Sequence, residues 1–101
     1  MQKPISIVWD NQAKADLRLI FEFIKLKLLQ GAKTVIRDIV FQSKNIHFVE
    51  QYQLDEFLGE PYRRMISRDY KIIYKIHSKT EIRILQIFDT RQNQSKLKTN
   101  L

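Results

Sequence analysis

The sequence contains no cysteine, which excludes disulfide bonds, thiolate chemistry and every zinc site built on cysteine. It contains only two glycines, Gly31 and Gly59, so a glycine-rich loop that cradles phosphate groups is excluded as well. The histidines and acidic residues show no spacing typical of metal ligands. We therefore expect no metal ion and no small-molecule cofactor.

Long hydrophobic runs are also missing. No apolar stretch approaches the roughly 18–20 residues that cross a membrane, and residues 1–10 lack the charged and apolar segments of a signal peptide. Together with the absence of cysteine, this predicts a soluble cytoplasmic protein with no membrane partner. The 101 residues have the size of one domain, so we expect a single domain, 1–101, with a polar tail over 89–101.

The positive charge of the chain is confined to its second part. The formal net charge is +7, and residues 61–101 hold ten Lys or Arg against three acidic residues, whereas residues 1–60 hold eight of each sign. A surplus concentrated in one segment predicts a face that meets an anionic partner. Nucleic acid and an acidic protein are both candidates at this point.

Two helices are predicted by spacings of three and four residues between apolar positions. The first helix follows Asp10 or Asn11, either of which can cap it, and its apolar stripe comprises Ala13, Leu17, Ile20, Phe21, Ile24 and Leu28. Gly31 is predicted to end this helix. The same spacing resumes at Ala32, Val35, Ile36, Ile39 and Val40, which indicates a helical hairpin.

Four strands are predicted: residues 5–9 before the hairpin, then 62–67, 70–77 and 81–88, with few regular signals between 42 and 60. In the last strand, Ile82 and Ile84 are expected on one face, and Leu85 and Ile87 on the other. The short turns between the last three strands indicate an antiparallel meander. The predicted fold is therefore α+β, a helical hairpin packed on one face of a four-stranded sheet.

This order of elements and three sequence segments resemble the RelE/ParE superfamily of bacterial type II toxins, and ParE more closely than RelE. The segments are Trp9 to Ile24 (with Ala13, Asp16, Leu17 and Ile20), Tyr70 to Ile76, and Ile82 to Gln92. The resemblance implies a β-α-α-β-β-β fold with a concave basic sheet face, and a co-encoded antitoxin that wraps the toxin. It leaves two activities, because RelE-like toxins cut messenger RNA on the ribosome whereas ParE-like toxins poison DNA gyrase.

RNA cleavage requires a base, an acid and a cation beside the phosphate. The candidates for these roles are Arg63, Arg64, Arg83, Arg91 and His77. RelE-like toxins place a catalytic tyrosine or histidine near the C-terminus, but here neither residue type follows His77. Asp89 is a weak base at an unperturbed pKa of about 4, and the sequence identifies no carboxylate that would orient His77. These departures favour the ParE-like activity.

We therefore predict a toxin that acts by binding, with DNA gyrase as its target and a cognate antitoxin as its second partner. The antitoxin would supply an acidic, partly disordered segment that folds as it binds. The residues predicted to bind target or antitoxin are Arg63, Arg64, Arg68, Lys71, Lys75, Arg83 and Arg91. The alternatives are a ribosome-dependent endoribonuclease that acts on messenger RNA, and a non-toxic module that binds nucleic acid. Arg91 could instead form a local salt bridge with Asp89.

Overall fold

The structure is a computed structural model that describes residues 4–98. Strand β1 (Ser6–Trp9) is followed by helices α1 (Asn11–Lys25) and α2 (Leu29–Ser43). A long loop leads to strands β2 (Arg63–Ser67), β3 (Tyr70–Ser78) and β4 (Glu81–Asp89), and a single 3₁₀ turn spans Gln94–Lys96. The α+β fold with a helical hairpin and a three-stranded meander is thus confirmed.

The four strands form one sheet in the order β1-β4-β3-β2. β2, β3 and β4 are antiparallel neighbours, whereas β1 lies parallel to β4. A parallel neighbour requires a crossover connection, and the helical hairpin together with the meander supplies it. Both helices pack on the same sheet face, where Ala13 and Ile39 are fully buried against Ile72, Tyr74 and Ile84 of the central strands.

A β-bulge in β4 changes the face on which one predicted core residue lies. Ile73 pairs with Gln86, but the next residue, Tyr74, pairs with Ile84, so Leu85 is an extra residue without a partner in β3. A bulge of this kind shifts the alternation by one residue. Ile87 therefore joins Ile82 and Ile84 in the core beneath the helices, and its predicted place on the opposite face is wrong.

Asp16 of α1 completes the hydrogen bonding of the bulged strand. Its carboxylate accepts the backbone N–H of Ile87 at 2.9 Å and the side-chain amide of Gln12 at 2.8 Å. A buried backbone N–H without a partner is costly. Asp16 thus ties the first helix to the central strand at the point where the regular strand pairing is interrupted.

We predict that Asp16→Ala lowers the free energy of unfolding by about 1–3 kcal/mol, because it leaves the Ile87 N–H unpaired in the protein interior. Asp16→Asn keeps an oxygen acceptor at the same place and is expected to lose clearly less. Urea denaturation of the two variants beside the native chain measures both values. Equal losses for Ala and Asn would contradict the assigned hydrogen bond.

The helical hairpin forms, but its turn does not use Gly31. Helix α1 ends at Lys25, and the N–H groups of Lys27 and Leu28 both donate to the Ile24 carbonyl at 2.9 Å. The capping residue Leu26 has right-handed backbone angles, so no left-handed residue is needed there. Gly31 lies in the first turn of α2, and its predicted place at the end of the first helix is wrong.

The sheet face opposite the helices is partly covered by the C-terminal tail. Ile73, Phe88 and Leu97 form a second small core, against which Leu58 and Tyr62 pack. The Gln86 side chain donates to the Lys98 carbonyl at 2.8 Å and accepts the Lys98 N–H at 3.1 Å. The predicted polar tail is therefore fixed on the sheet as far as Lys98, and its remaining residues, 99–101, lie outside the described part.

Candidate functional site

We call the sheet face opposite the helices the open face. The buried ion pair of Lys71 and Asp55 lies at the centre of a network of charged side chains on this face. The Lys71 ammonium lies 2.7 Å from the Asp55 carboxylate, 3.0 Å from Glu56 and 3.0 Å from the side-chain oxygen of Gln94. Lys71 is 3% exposed and Asp55 is 1% exposed. Lys71 therefore fixes the 55–58 loop and the tail to the sheet, and its charge does not reach the surface; its contact with a partner stays a prediction.

Arg64 extends the same network to the solvent. Its Nε donates to Glu56 at 2.6 Å and lies 3.9 Å from Asp55. The Asp55 carboxylate also accepts the N–H groups of Phe57 at 3.1 Å and Leu58 at 2.9 Å, which closes a local turn of the loop. The loop shows no helical or strand period in its sequence, and its order comes from these contacts.

The network predicts a pH dependence of stability. A hydrogen bond from its own backbone, followed by the bond from Lys71, lowers the pKa of Glu56 from 4.5 to about 2. A depressed pKa in the folded state means that the stabilisation is complete above pH 4.5 and is lost as the pH falls from 4.5 towards 2. Since the Glu56 side chain is 61% exposed, solvent screening limits this contribution to roughly 1 kcal/mol or less.

Glu56→Gln is therefore expected to make the loss of stability between pH 4.5 and 2 shallower than in the native chain. Thermal midpoints measured across this pH range provide the test. Glu50→Gln is the matched control, because Glu50 is exposed and its carboxylate forms no ion pair among the described residues. A Glu56→Gln curve parallel to the native curve would contradict the role of Glu56.

Arg68 and Arg91 lie near the end of the sheet where β3 begins, and both are paired. Arg68 binds Asp38 of α2 at 2.7 Å. Arg91 holds Asp89 through two side-chain hydrogen bonds of 3.0 and 2.9 Å, and lies 3.8 Å from Asp69. The Arg91 guanidinium lowers the pKa of Asp89 below its usual range. The local salt bridge considered as an alternative for Arg91 is thus present.

Lys75, His77 and Arg83 lie at the other end of the open face, beside the turn that joins β3 and β4. Lys75 and Arg83 are directly opposite each other in the strand pairing. His77 Nε2 lies 3.4 Å from the Arg83 guanidinium and 3.6 Å from the Glu81 carboxylate, and Arg83 Nε donates to Glu81 at 3.3 Å. His77 therefore has a neighbouring carboxylate, contrary to the expectation from sequence.

The five residues considered for RNA cleavage are not brought together. His77 and Arg91 are separated by the length of β3, roughly 20 Å at the rise of a strand. Arg63 pairs with Tyr74 and so lies on the helix-side face, where its guanidinium donates to the Tyr52 carbonyl at 2.6 Å. Arg64 is held by Glu56 midway between the ends. His77 and Arg83 are the one pair within this set that is in contact.

A surface that the sequence analysis missed lies on the outer side of α1. Leu19, Phe23 and Leu26 are spaced by four and three residues, and are 67%, 62% and 84% exposed. Beside them lie two depressions of 380 and 250 Å³, with Tyr70 lining both. We call this surface the α1 groove. Its signal in the sequence was a second apolar stripe on α1, which was masked by the stronger core stripe.

The rim of the α1 groove is mainly basic. Lys27, Arg68 and Arg91 line the depression beside Phe23, and Lys27 lies 5.6 Å from the centre of the Phe23 ring. The acidic residues in these depressions, Asp69 and Asp89, both lie within ion-pair distance of Arg91. The groove thus combines an apolar floor with cations, a combination that suits an acidic amphipathic segment.

Within residues 4–98, no group of three or more His, Asp or Glu side chains is arranged to hold a metal ion. The same part of the chain contains no helix that is long and apolar enough to cross a membrane.

The geometry defines a small α+β domain with a charged open sheet face and an exposed apolar groove on its first helix. Residues 7–94 match the family of the ParE toxin of the type II toxin–antitoxin system parDE. The chain belongs to this family, and the resemblance drawn from the sequence is confirmed.

One solved structure agrees with this assignment. The chain is similar to a structure of the chromosomal ParDE toxin–antitoxin system from P. aeruginosa, with 26% identity and a TM-score of 0.73 over 85% of this chain and 96% of that chain. Two structures of the E. coli DinJ–YafQ complex share 16% identity over 88% and 86% of this chain and 96% and 94% of theirs, with TM-scores of 0.49 and 0.47. No curated protein matches the chain.

Proposed function

We propose that the protein is a growth-inhibiting toxin that binds DNA gyrase and is neutralised by a co-encoded antitoxin. The observation that carries the proposal is the match of residues 7–94 to the ParE toxin family. Binding without catalysis is supported by the separation of the five nuclease candidates, because general acid–base catalysis needs its groups within hydrogen-bond reach of one phosphate.

The α1 groove is the proposed antitoxin site. The similar structure from P. aeruginosa is of a toxin–antitoxin system, and an antitoxin segment that folds on binding needs an apolar surface on which to order. Leu19 and Phe23 provide that surface, while Arg68 and Arg91 of the predicted binding set lie at its rim. An acidic amphipathic helix would place its apolar side in the groove and a carboxylate against Lys27, a rim cation that has no ion pair among residues 4–98.

Inducible expression in a bacterial host tests the proposal, with growth, messenger RNA integrity and the DNA-damage response followed together. We expect growth arrest, induced DNA damage and intact messages. In vitro, purified gyrase with supercoiled plasmid is expected to accumulate cleaved DNA when the purified chain is added. Cells that carry the empty expression plasmid serve as the control for effects of induction alone.

Cleaved messages without a gyrase effect would replace the proposal with a ribosome-dependent endoribonuclease. In that case His77 and Arg83, which are in contact, would be the first residues to substitute. Normal growth with soluble protein in the cell and unaffected gyrase in vitro would reject toxicity through either target.

A further inference from the structure

Most cations of the predicted binding set are occupied by partners within the chain. Carboxylates pair with Arg64, Arg68, Lys71 and Arg91, and backbone carbonyls bind Arg63. Arg83 shares the Glu81 carboxylate at 3.3 Å through its Nε alone, and Lys75 is the remaining member of the set. Within residues 4–98, Lys75 has neither an ion pair nor a side-chain hydrogen bond, and the Nη1 group of Arg83 is also without a partner. Available charge on the sheet is thus concentrated beside the β3–β4 turn.

The positions of Lys75 and Arg83 lower the stability of the folded sheet. Lys75 and Arg83 are directly opposite each other on neighbouring strands, and like charges in such a pair destabilise a sheet. Glu81 offsets part of this repulsion, since its carboxylate accepts from Arg83 Nε. Exposed Lys79 in the adjoining turn adds a third positive charge. An anion bound between these side chains would relieve the repulsion that the fold leaves.

We infer that Lys75, Lys79 and Arg83 form a binding site for the phosphodiester backbone of a nucleic acid. Arginine binds phosphate through its planar fork, and lysine through a mobile point charge. The site lies on the sheet face opposite the α1 groove's helix, so an occupied groove leaves it accessible. Because it concerns nucleic acid and not the gyrase protein, it goes beyond the proposed function.

The surroundings of the site favour a phosphodiester over an acidic protein segment. Protein interfaces gain most of their affinity from buried aromatic or large apolar anchors. The exposed apolar neighbour on the same face is Val8, which pairs with Arg83 and is 38% exposed, whereas Tyr62 on this face, which precedes Arg63 in the sequence, is partly buried against the second small core. A site of this kind binds through charge, and therefore with a marked salt dependence.

Fluorescence anisotropy of the purified chain tests the site, with a short labelled DNA duplex and a single-stranded RNA of equal length as separate probes. The variant is Lys75→Ala/Arg83→Ala. The control is Lys33→Ala/Arg37→Ala, which removes one lysine and one arginine from exposed positions of α2. Both double variants lose the same charge, so they differ only in the surface that is altered.

We expect the Lys75/Arg83 variant to bind at least about tenfold more weakly at about 50 mM salt, and its slope of log affinity against log salt to fall by about two. The control is expected to stay close to the native chain. Tighter binding of one probe identifies duplex DNA or single-stranded RNA as the source of the phosphodiester. Equal losses in both variants would assign binding to net charge and overturn the site, as would the absence of binding to either probe.

Lysine acetylation of the native chain gives a second readout that does not depend on a variant. Bound nucleic acid is expected to protect Lys75 and Lys79, while Lys33 continues to react. Unchanged acetylation of Lys75 under conditions where the anisotropy shows binding would also overturn the site. Neither measurement involves gyrase or cell growth, so a negative result here and a failure of the proposed function are recorded separately.

Discussion

Replacing Lys71 with methionine is expected to lower the free energy of unfolding by about 3–5 kcal/mol. The Lys71 ammonium lies 2.7 Å from Asp55, and the two residues are 3% and 1% exposed. Methionine fills much of the lysine volume but removes the nearest counter-charge of the buried Asp55 carboxylate, which keeps only Arg64 Nε at 3.9 Å. Because domains of this size have only about 5–15 kcal/mol of stability in total, the variant should approach the unfolding threshold. Urea denaturation followed by circular dichroism measures the loss.

Two further variants separate the ion pair from general effects of the substitution. Lys33→Met removes an exposed lysine of α2 and is expected to change stability by no more than about 0.5 kcal/mol. Lys71→Met/Asp55→Asn removes both charges while keeping an oxygen that can accept the Phe57 and Leu58 N–H groups, so it should recover much of the loss. A double variant as unstable as Lys71→Met would show that the uncompensated charge is not the cause.

The burial of Lys71 could not be predicted from the sequence. Alternation along β3 correctly places Lys71 on the face opposite Tyr70 and Ile72, and a polar face without a visible cover is ordinarily open to water. The cover comes from the 55–58 loop and the tail, whose residues show no helical or strand period. Their position depends on side-chain contacts over 15 or more residues of sequence, which no local pattern records.

The strands and helices could be predicted because their patterns are local. Spacings of three and four identified both helices, and alternation identified β2, β3 and β4 to within a residue or two. The bulge at Leu85 was not predictable, since its cause is the match between two strands. The predicted helix end at Gly31 was wrong because glycine usually follows a helix end, whereas the turn at Leu26 needs only right-handed backbone angles.

The basic residues of the candidate site could be predicted from the sequence, but most of their partners could not. Net charge correctly drew attention to the basic second part of the chain, yet the pairing of each cation depends on which acidic residue the fold brings to it. Asp38 reaches Arg68 from α2, thirty positions earlier in the sequence. The Asp89–Arg91 contact was foreseeable because its partners are two residues apart. Lys75 stands out as available only once the other pairs are known.

Phe23→Glu is expected to weaken antitoxin binding by roughly 2–4 kcal/mol, or about thirty- to a thousand-fold, because it places a carboxylate on the apolar floor of the α1 groove opposite an acidic partner. Folding should be little affected, since Phe23 is 62% exposed. The lost contact with Lys27 is replaced by an attraction between opposite charges at the exposed surface. The variant toxin should therefore still arrest growth.

Phe41→Glu is the matched control, because Phe41 is a 72% exposed phenylalanine on α2 and lies outside the groove. Each toxin variant is expressed with and without the reading frame that neighbours its gene, the proposed source of the antitoxin. We expect co-expression to restore growth for the native chain and for Phe41→Glu, but not for Phe23→Glu. Equal rescue of both variants would show that the antitoxin binds elsewhere, and the basic open face of the sheet would then be the surface to test, because an acidic segment held by charge alone would not depend on the groove.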